Sequence, residues 1–307
     1  MTTMLQELSA PTGEIRVPSS LDFIAPTFVD GLIRVGKAND GGYVVPEWLI
    51  TEADCLVSLG ISEDWSFDQH FKKLNPQIRI HAYDHTLSKR EISKSVAVAL
   101  LKTCMGMSSL KKVNQRATLL RSYKAFFSGS VKHFEERVHS RADRPNDATL
   151  EKVFERTQSG RIFLKVDIEG SEYRIIDGIV CLADRIVGVA IEFHDTDPLR
   201  PVFVSSIRKL QERFEIVHFH ANNFAGVAKD GFPEVVELTL IEKSRCPAGE
   251  KRTTFPIPQL DSPCNPCSPD YSGRFVLGYS SRTAHEADSQ LPGISCDSAF
   301  RESSKGF

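Results

Sequence analysis

The sequence predicts an α/β protein built on a doubly wound, mostly parallel sheet. Three observations predict it. Six short apolar runs recur between residues 55 and 243. Several are apolar at nearly every position, which suits strands covered on both faces. Segments with helical spacing fall between them, and strands alternating with helices imply right-handed crossovers.

In chain order, residues 1–27 read as an N-terminal arm, loose over the first 20. One domain is expected over 28–275. The run CLVSLG (55–60) ends at Gly60, and a polar loop with Ser62, Glu63 and Asp64 leads to a helix start near Ser66. A glycine at such a turn permits close approach of a ligand to the backbone. A single glycine is not the GxGxxG of a dinucleotide site. The run IRIHAYD (78–84) ends at Asp84, which lies one βαβ spacing beyond Gly60. A carboxylate there is placed either to accept two hydrogen bonds from a ribose diol or to cap a helix.

Residues 88–145 carry 13 Lys or Arg against four Asp or Glu, a balance of +9, and read as a basic helical insertion. The plain reading is a solvated face; the sharper one is a wall that attracts an acidic substrate. Leu150, Val153, Phe154 and Thr157 then follow helical spacing, with Asp147 near the start.

The run IFLKVDIE (162–169) places Asp167 and Glu169 at i and i+2, on one face if the strand continues. Two adjacent buried carboxylates are costly unless they bind a cation or a polar ligand. A purely structural pair capping the following helix, SEYRIIDGIVCLADR from Ser171, is the other reading. IVGVAIEFH (186–194) ends with Glu192 and His194 on one face. Phe203, Ile207, Leu210 and Phe214 form another helical stripe, EIVHFHA (215–221) alternates His218 and His220 ahead of Asn222 and Asn223, and EVVELTLIEK (234–243) is the last run. Nine serines after residue 267 mark 276–307 as a serine-rich tail, poorly ordered from about Ser280.

Composition narrows the function. Hydrophobic residues at 41% and charged residues at 25% allow an ordinary core. A formal net charge of -2 argues against a polybasic nucleic-acid binder. No apolar run approaches the ~18 residues that span a bilayer, and the N-terminus lacks the basic and apolar regions of a signal peptide. Seven scattered cysteines, an odd number, fit reduced thiols and a cytoplasmic location. Cys264 and Cys267 form a CxxC without a second pair, so they read as a loop with two free thiols.

The element LKVDIEGSE resembles the hallmark of FkbM-type methyltransferases. The similarity takes in RVGKANDGGYVV (34–45), VSLGISEDWSFD as a cofactor loop, AYDHT, IEFH, HFHANN, ELTLIEK and LDSPCNPCSPDY, and so covers roughly residues 30–275. It implies a Rossmann-like methyltransferase sheet and an enzyme that transfers a methyl group from S-adenosylmethionine (SAM) to a hydroxyl on a sugar, a glycan or a small natural product. Gly60 and Glu63 would lie in the cofactor loop, Asp84 would bind the ribose, and Asp40, Gly41, Gly42 and Tyr43 would form a loop near the cofactor. Asp167 and Glu169 would be catalytic, with His194 or His220 as general base. The base could be replaced by a divalent ion held by Asp167, Glu192 and His194, an option the sequence does not favour. A nicotinamide-dependent oxidoreductase and a non-catalytic nucleotide-binding module remain as alternatives.

Overall fold

The computed structural model describes residues 14–277. Its central sheet has seven strands: β1 (Cys55–Leu59), β2 (Arg79–Tyr83), β3 (Val131–Phe134), β4 (Ile162–Val166), β5 (Ile186–Phe193), β6 (Phe214–Ala221) and β7 (Val236–Glu242). The order across the sheet is β6-β7-β5-β4-β1-β2-β3. Pairs from β5 through β3 are parallel, and β7 runs antiparallel to both β5 and β6. The expected α/β class and mostly parallel sheet are therefore the observed ones.

The continuous apolar runs have a direct reason. Cys55, Val57 and Leu59 of β1 join one core cluster with Ile162, Leu164 and Val166 of β4. Leu56 and Phe163, one residue out of phase, join a second cluster on the opposite face. Alternating side chains thus find apolar cover on both sides. The helices are α1 (Glu47–Glu52), α2 (Ser66–Leu74), α3 (Lys89–Cys104), α4 (Leu110–Phe126), α5 (Leu150–Thr157), α6 (Ile176–Cys181) and α7 (Arg200–Arg213). A hairpin of Leu32–Val35 and Tyr43–Pro46 covers part of the sheet, and Thr239 on β7 donates to the Val44 carbonyl at 2.7 Å.

Four expectations about organisation change. The N-terminal arm is packed from residue 14 onward: Glu14–Arg16 pairs in parallel with Ser272–Arg274, and Ile15, Leu21 and Ile24 lie in the core. The basic segment is helical only through α3 and α4; its end supplies β3, the edge strand beside β2. The helix expected from Ser171 is broken into 3-10 turns around the six residues of α6. Asp147 does not cap α5, because Thr149 accepts from Lys152 N while Asp147 takes a two-pronged bond from Arg137. The first 13 residues and the tail from residue 278 lie outside the described residues.

The sequence order outward from β1 runs through β2 to β3, then returns to β4 on the other side of β1. In doubly wound sheets this reversal opens a crevice beyond the carboxyl ends of the strands. That is where the site lies.

Candidate active site

A cavity of about 750 Å³ opens beyond the ends of β1, β2, β4 and β5. It is in the size range of small-molecule and cofactor sites. Asp40, Gly41, Gly60, Asp84, Asp167, Glu169, Glu192 and His194 all lie in its wall. Glu63, Gly42 and His220 do not.

The loop after β1 owes its glycine to the chain itself. Gly60 has φ +76°, and a Cβ there would sit 1.6 Å from the Asp167 carbonyl oxygen. The close approach that demands glycine is therefore that of the β4 terminus, which corrects the expectation that a ligand imposes it. Glu63 points away from the cavity and pairs with Arg116 on α4 at 2.5 Å. Gly42 is fixed by the hairpin turn, where a Cβ would meet the Lys37 carbonyl oxygen at 2.1 Å. Asp64 accepts from Ser66 N at 3.0 Å and so places a carboxylate on the N-terminus of α2.

Asp84 is engaged more fully than a free ribose acceptor would be. Oδ2 accepts from Ile61 N (3.0 Å) and Ser62 N (2.7 Å). Oδ1 accepts from Thr86 N (2.7 Å), Thr86 Oγ1 (2.6 Å) and Leu87 N (3.3 Å). Although burial opposes its charge, these bonds hold its pKa below the ordinary value. The carboxylate clasps the loops after β1 and β2 together.

At the centre, β4 stops at Val166, so Asp167 is the first residue beyond the strand. The chain then turns, with Glu169 at φ +53°. This breaks the strand alternation on which the shared face of Asp167 and Glu169 depended. The Glu169 side chain is 85% exposed, and it reaches within 3.5 Å of His194 Nε2 from the rim. The buried acid of this turn is Glu172, which accepts from Ile168 N and Gly170 N, both at 3.1 Å, and lies 3.0 Å from His194 Nδ1. Asp167, part of the cavity wall, receives Lys165 Nζ at 3.2 Å and the Tyr43 hydroxyl at 3.3 Å on Oδ2. Lys165 is 4% exposed and also donates to the Gly60 carbonyl at 2.8 Å. Burial works against its charge, but Asp167 and Asp68 more than offset that and raise its pKa.

Register extends this group into a row. Glu192 on β5 stands opposite Glu237 on β7, and Glu237 opposite His220 on β6. Asp167 follows Val166, the partner of Ile191. Like charges directly opposite one another are destabilising, and burial with Asp167 and Glu237 nearby raises the pKa of Glu192 well above the carboxylate range. Asn222 donates to Glu192 at 2.7 Å. Burial opposes a charge on His194, yet the hydrogen bond to Glu172 and the charges of Glu192 and Asp167 raise its pKa to about 9. That upward shift favours a ring protonated on both nitrogens and weighs against His194 as a resting base. His220 is fully buried between Glu237 and Asp270, away from the cavity, so it cannot serve as base there. His218 pairs with Asp261 at 3.0 Å.

Ligand atoms of Asp167, Glu192 and His194 lie within 4.8 Å of one another, close enough to gather a cation. Lys165 and Glu172 escaped the sequence reading. A lysine inside the apolar run FLKV was the available signal for the first; for the second, the expected helix from Ser171 hid a glutamate that faces inward.

No family model matches the chain, and no curated protein matches it. Among solved structures it is similar to a fibrillarin pre-rRNA processing protein of Methanococcus jannaschii, with 12% identity, 63% of this chain and 68% of that chain covered, and a TM-score of 0.34. It is similar to precorrin-6y C5,15-methyltransferase from Geobacter metallireducens GS-15, with 13% identity, 64% and 86% covered, and a TM-score of 0.33. It is also similar to the 23S rRNA methyltransferase ErmE, with 8% identity, 64% and 66% covered, and a TM-score of 0.32. Likeness this distant does not bear on what the chain does.

Proposed function

We propose that the chain is a SAM-dependent methyltransferase of the FkbM type that methylates a hydroxyl on an uncharged sugar, glycan or small natural product. The observation that carries this reading is the charge of the cavity wall. Asp40, Asp64, Asp84, Glu136, Asp167 and Glu169 contribute carboxylates, while burial and neighbouring acids favour neutral Glu192 and His194 adds a positive charge. The wall's two strong bases are spoken for, Arg137 by Asp147 and Lys165 by Asp167. Lys37 and Arg156 offset Asp64 and Glu136, and the remaining Asp40, Asp84 and Glu169 still outnumber His194. Such a cleft attracts a cation such as a sulfonium with its ammonium group and repels a pyrophosphate. The helix N-terminus on which a dinucleotide pyrophosphate would rest, that of α2, already holds the Asp64 carboxylate. Both features favour SAM over a nicotinamide cofactor. They also turn the acceptor away from the acidic class that the basic 88–145 segment suggested.

SAM supplies an electrophilic methyl group on a sulfonium. With SAM bound, the chain's own residues would have to align the acceptor hydroxyl with that methyl and take up the proton the hydroxyl loses. Asp167 would accept that proton, since the upward shift of His194 favours a ring already protonated on both nitrogens. Lys165 and Tyr43 hold the Asp167 carboxylate in place through Oδ2, so alignment rests on buried groups. Glu172 fixes the His194 ring through Nδ1.

Incubation with methyl-labelled SAM and a panel of neutral glycans and hydroxylated small molecules tests the reading. Label is expected on a hydroxyl oxygen of a neutral acceptor; label found only on acidic acceptors would overturn the acceptor class. A second reading has Asp167, Glu192 and His194 holding a divalent ion that lowers the hydroxyl pKa. Adding Mg²⁺ or Mn²⁺ to dialysed enzyme separates the two. Transfer independent of added ion leaves Asp167 as the base.

A further inference from the structure

The geometry points to a structural metal site outside the cavity, a buried zinc held by His220, Glu237 and Cys264. Two ligands come from facing positions on adjacent strands, His220 on β6 and Glu237 on β7. The third is carried over them by the C-terminal segment. The three residues are 0%, 3% and 0% exposed. Their donor atoms are close together: His220 Nδ1 to Glu237 Oε2 is 2.9 Å, Cys264 Sγ to His220 Nδ1 is 3.9 Å, and Cys264 Sγ to Glu237 Oε1 is 3.5 Å. Tetrahedral zinc with bonds of about 2.0–2.3 Å sets its ligand atoms roughly 3.3–3.8 Å apart. The observed triangle needs shifts of only tenths of an ångström to match.

The surroundings complete the arrangement. Both oxygens of Asp270 lie on His220 Nε2, at 3.1 and 3.2 Å. A carboxylate on the far nitrogen is the usual partner of a metal-bound histidine, because it fixes the tautomer that leaves Nδ1 free for the metal. The two Glu237 oxygens face the thiol and the imidazole separately, so the carboxylate binds through one of them, and the three protein donors leave the fourth tetrahedral position to a water. Nitrogen, sulfur and oxygen donors together suit zinc rather than magnesium or calcium. Hydrogen bonds alone also satisfy these atoms, and the test must separate the two states.

The site has a consequence for the cavity. The Cys264 carbonyl accepts from Asp40 N at 3.4 Å, and Asn39 donates to the Pro263 carbonyl at 2.8 Å. A metal at Cys264 therefore staples the C-terminal segment to the sheet and braces the Asp40–Gly41 wall. The site does not use the CxxC as a pair: Cys267 is exposed and outside the cluster.

Elemental analysis of dialysed full-length protein, with cobalt(II) uptake as a second readout, tests the inference. About one zinc per chain is expected in the wild type. It should be lost in Cys264→Ser and Glu237→Gln, and retained in Cys267→Ser and Asp167→Asn. Stripping it should lower the melting temperature by at least about 5 °C. Cobalt in place of zinc should give a thiolate charge-transfer band in the wild type, a readout that needs no variant to fold. Wild type that neither holds zinc nor gives that band overturns the site. So does a full equivalent in folded Cys264→Ser, or loss of the metal in folded Cys267→Ser or Asp167→Asn.

Discussion

Asp167 is where strand geometry, burial and chemistry meet. Asp167→Asn preserves its shape but removes the negative charge that balances Lys165 and accepts a proton. Methyl transfer should fall at least ~100-fold, the scale of a positioned base, while SAM affinity changes less than ~10-fold. A single-turnover assay beside a binding titration checks this; unchanged turnover in folded protein would return Asp167 to a structural role. The folded pKa of His194 is raised from 6.5 to about 9, so its contribution to stability is complete below about 6.5 and is lost as pH rises through about 9. Ring chemical shifts should show His194 protonated at pH 7.5, and Glu172→Gln should move its midpoint downward. A His194 midpoint at or below 6.5 in the wild type contradicts its stabilisation by Glu172. The acids and histidines at the strand ends were legible because polar residues interrupt apolar runs there. Which of them share a site was not legible. Glu169 leaves the face through one left-handed residue, and Glu172 enters it from a broken helix.

Among elements, the loops after β1 and β2 act as one unit through the Asp84 carboxylate. Asp84→Ala leaves several buried N–H groups without an acceptor. It should cost about 2–4 kcal/mol of stability, with any loss of SAM affinity following from loosened loops. Denaturant unfolding of the variant checks this, and a stability change under ~0.5 kcal/mol would mean that the clasp is not formed in solution. Most strands could be read from sequence since both faces of the sheet are covered, which makes their runs continuously apolar. The exception is β3, read as part of a basic insertion: only Val131 of its four residues is buried, and an edge strand needs little apolar sequence. The clasp itself was unreadable, because an aspartate after a strand looks the same whether it meets a ribose or a neighbouring loop.

For the molecule as a whole, charge is divided between a basic α3–α4 hairpin and an acidic cavity, a division that a net charge of -2 conceals. Attraction of a cationic cofactor into the cleft should weaken several-fold between ~0.05 and ~0.5 M salt, as screening shortens the reach of the wall charges. The Michaelis constant of a neutral acceptor should stay nearly constant over the same range. The central claim is that this acidic cleft is a SAM site, and calorimetric titration of the wild-type chain with SAM, and separately with NADH, tests it most directly. Saturable heat with SAM at one site per chain and none with NADH is the predicted result. Saturation by NADH, or no heat from SAM with correctly folded protein, would contradict it.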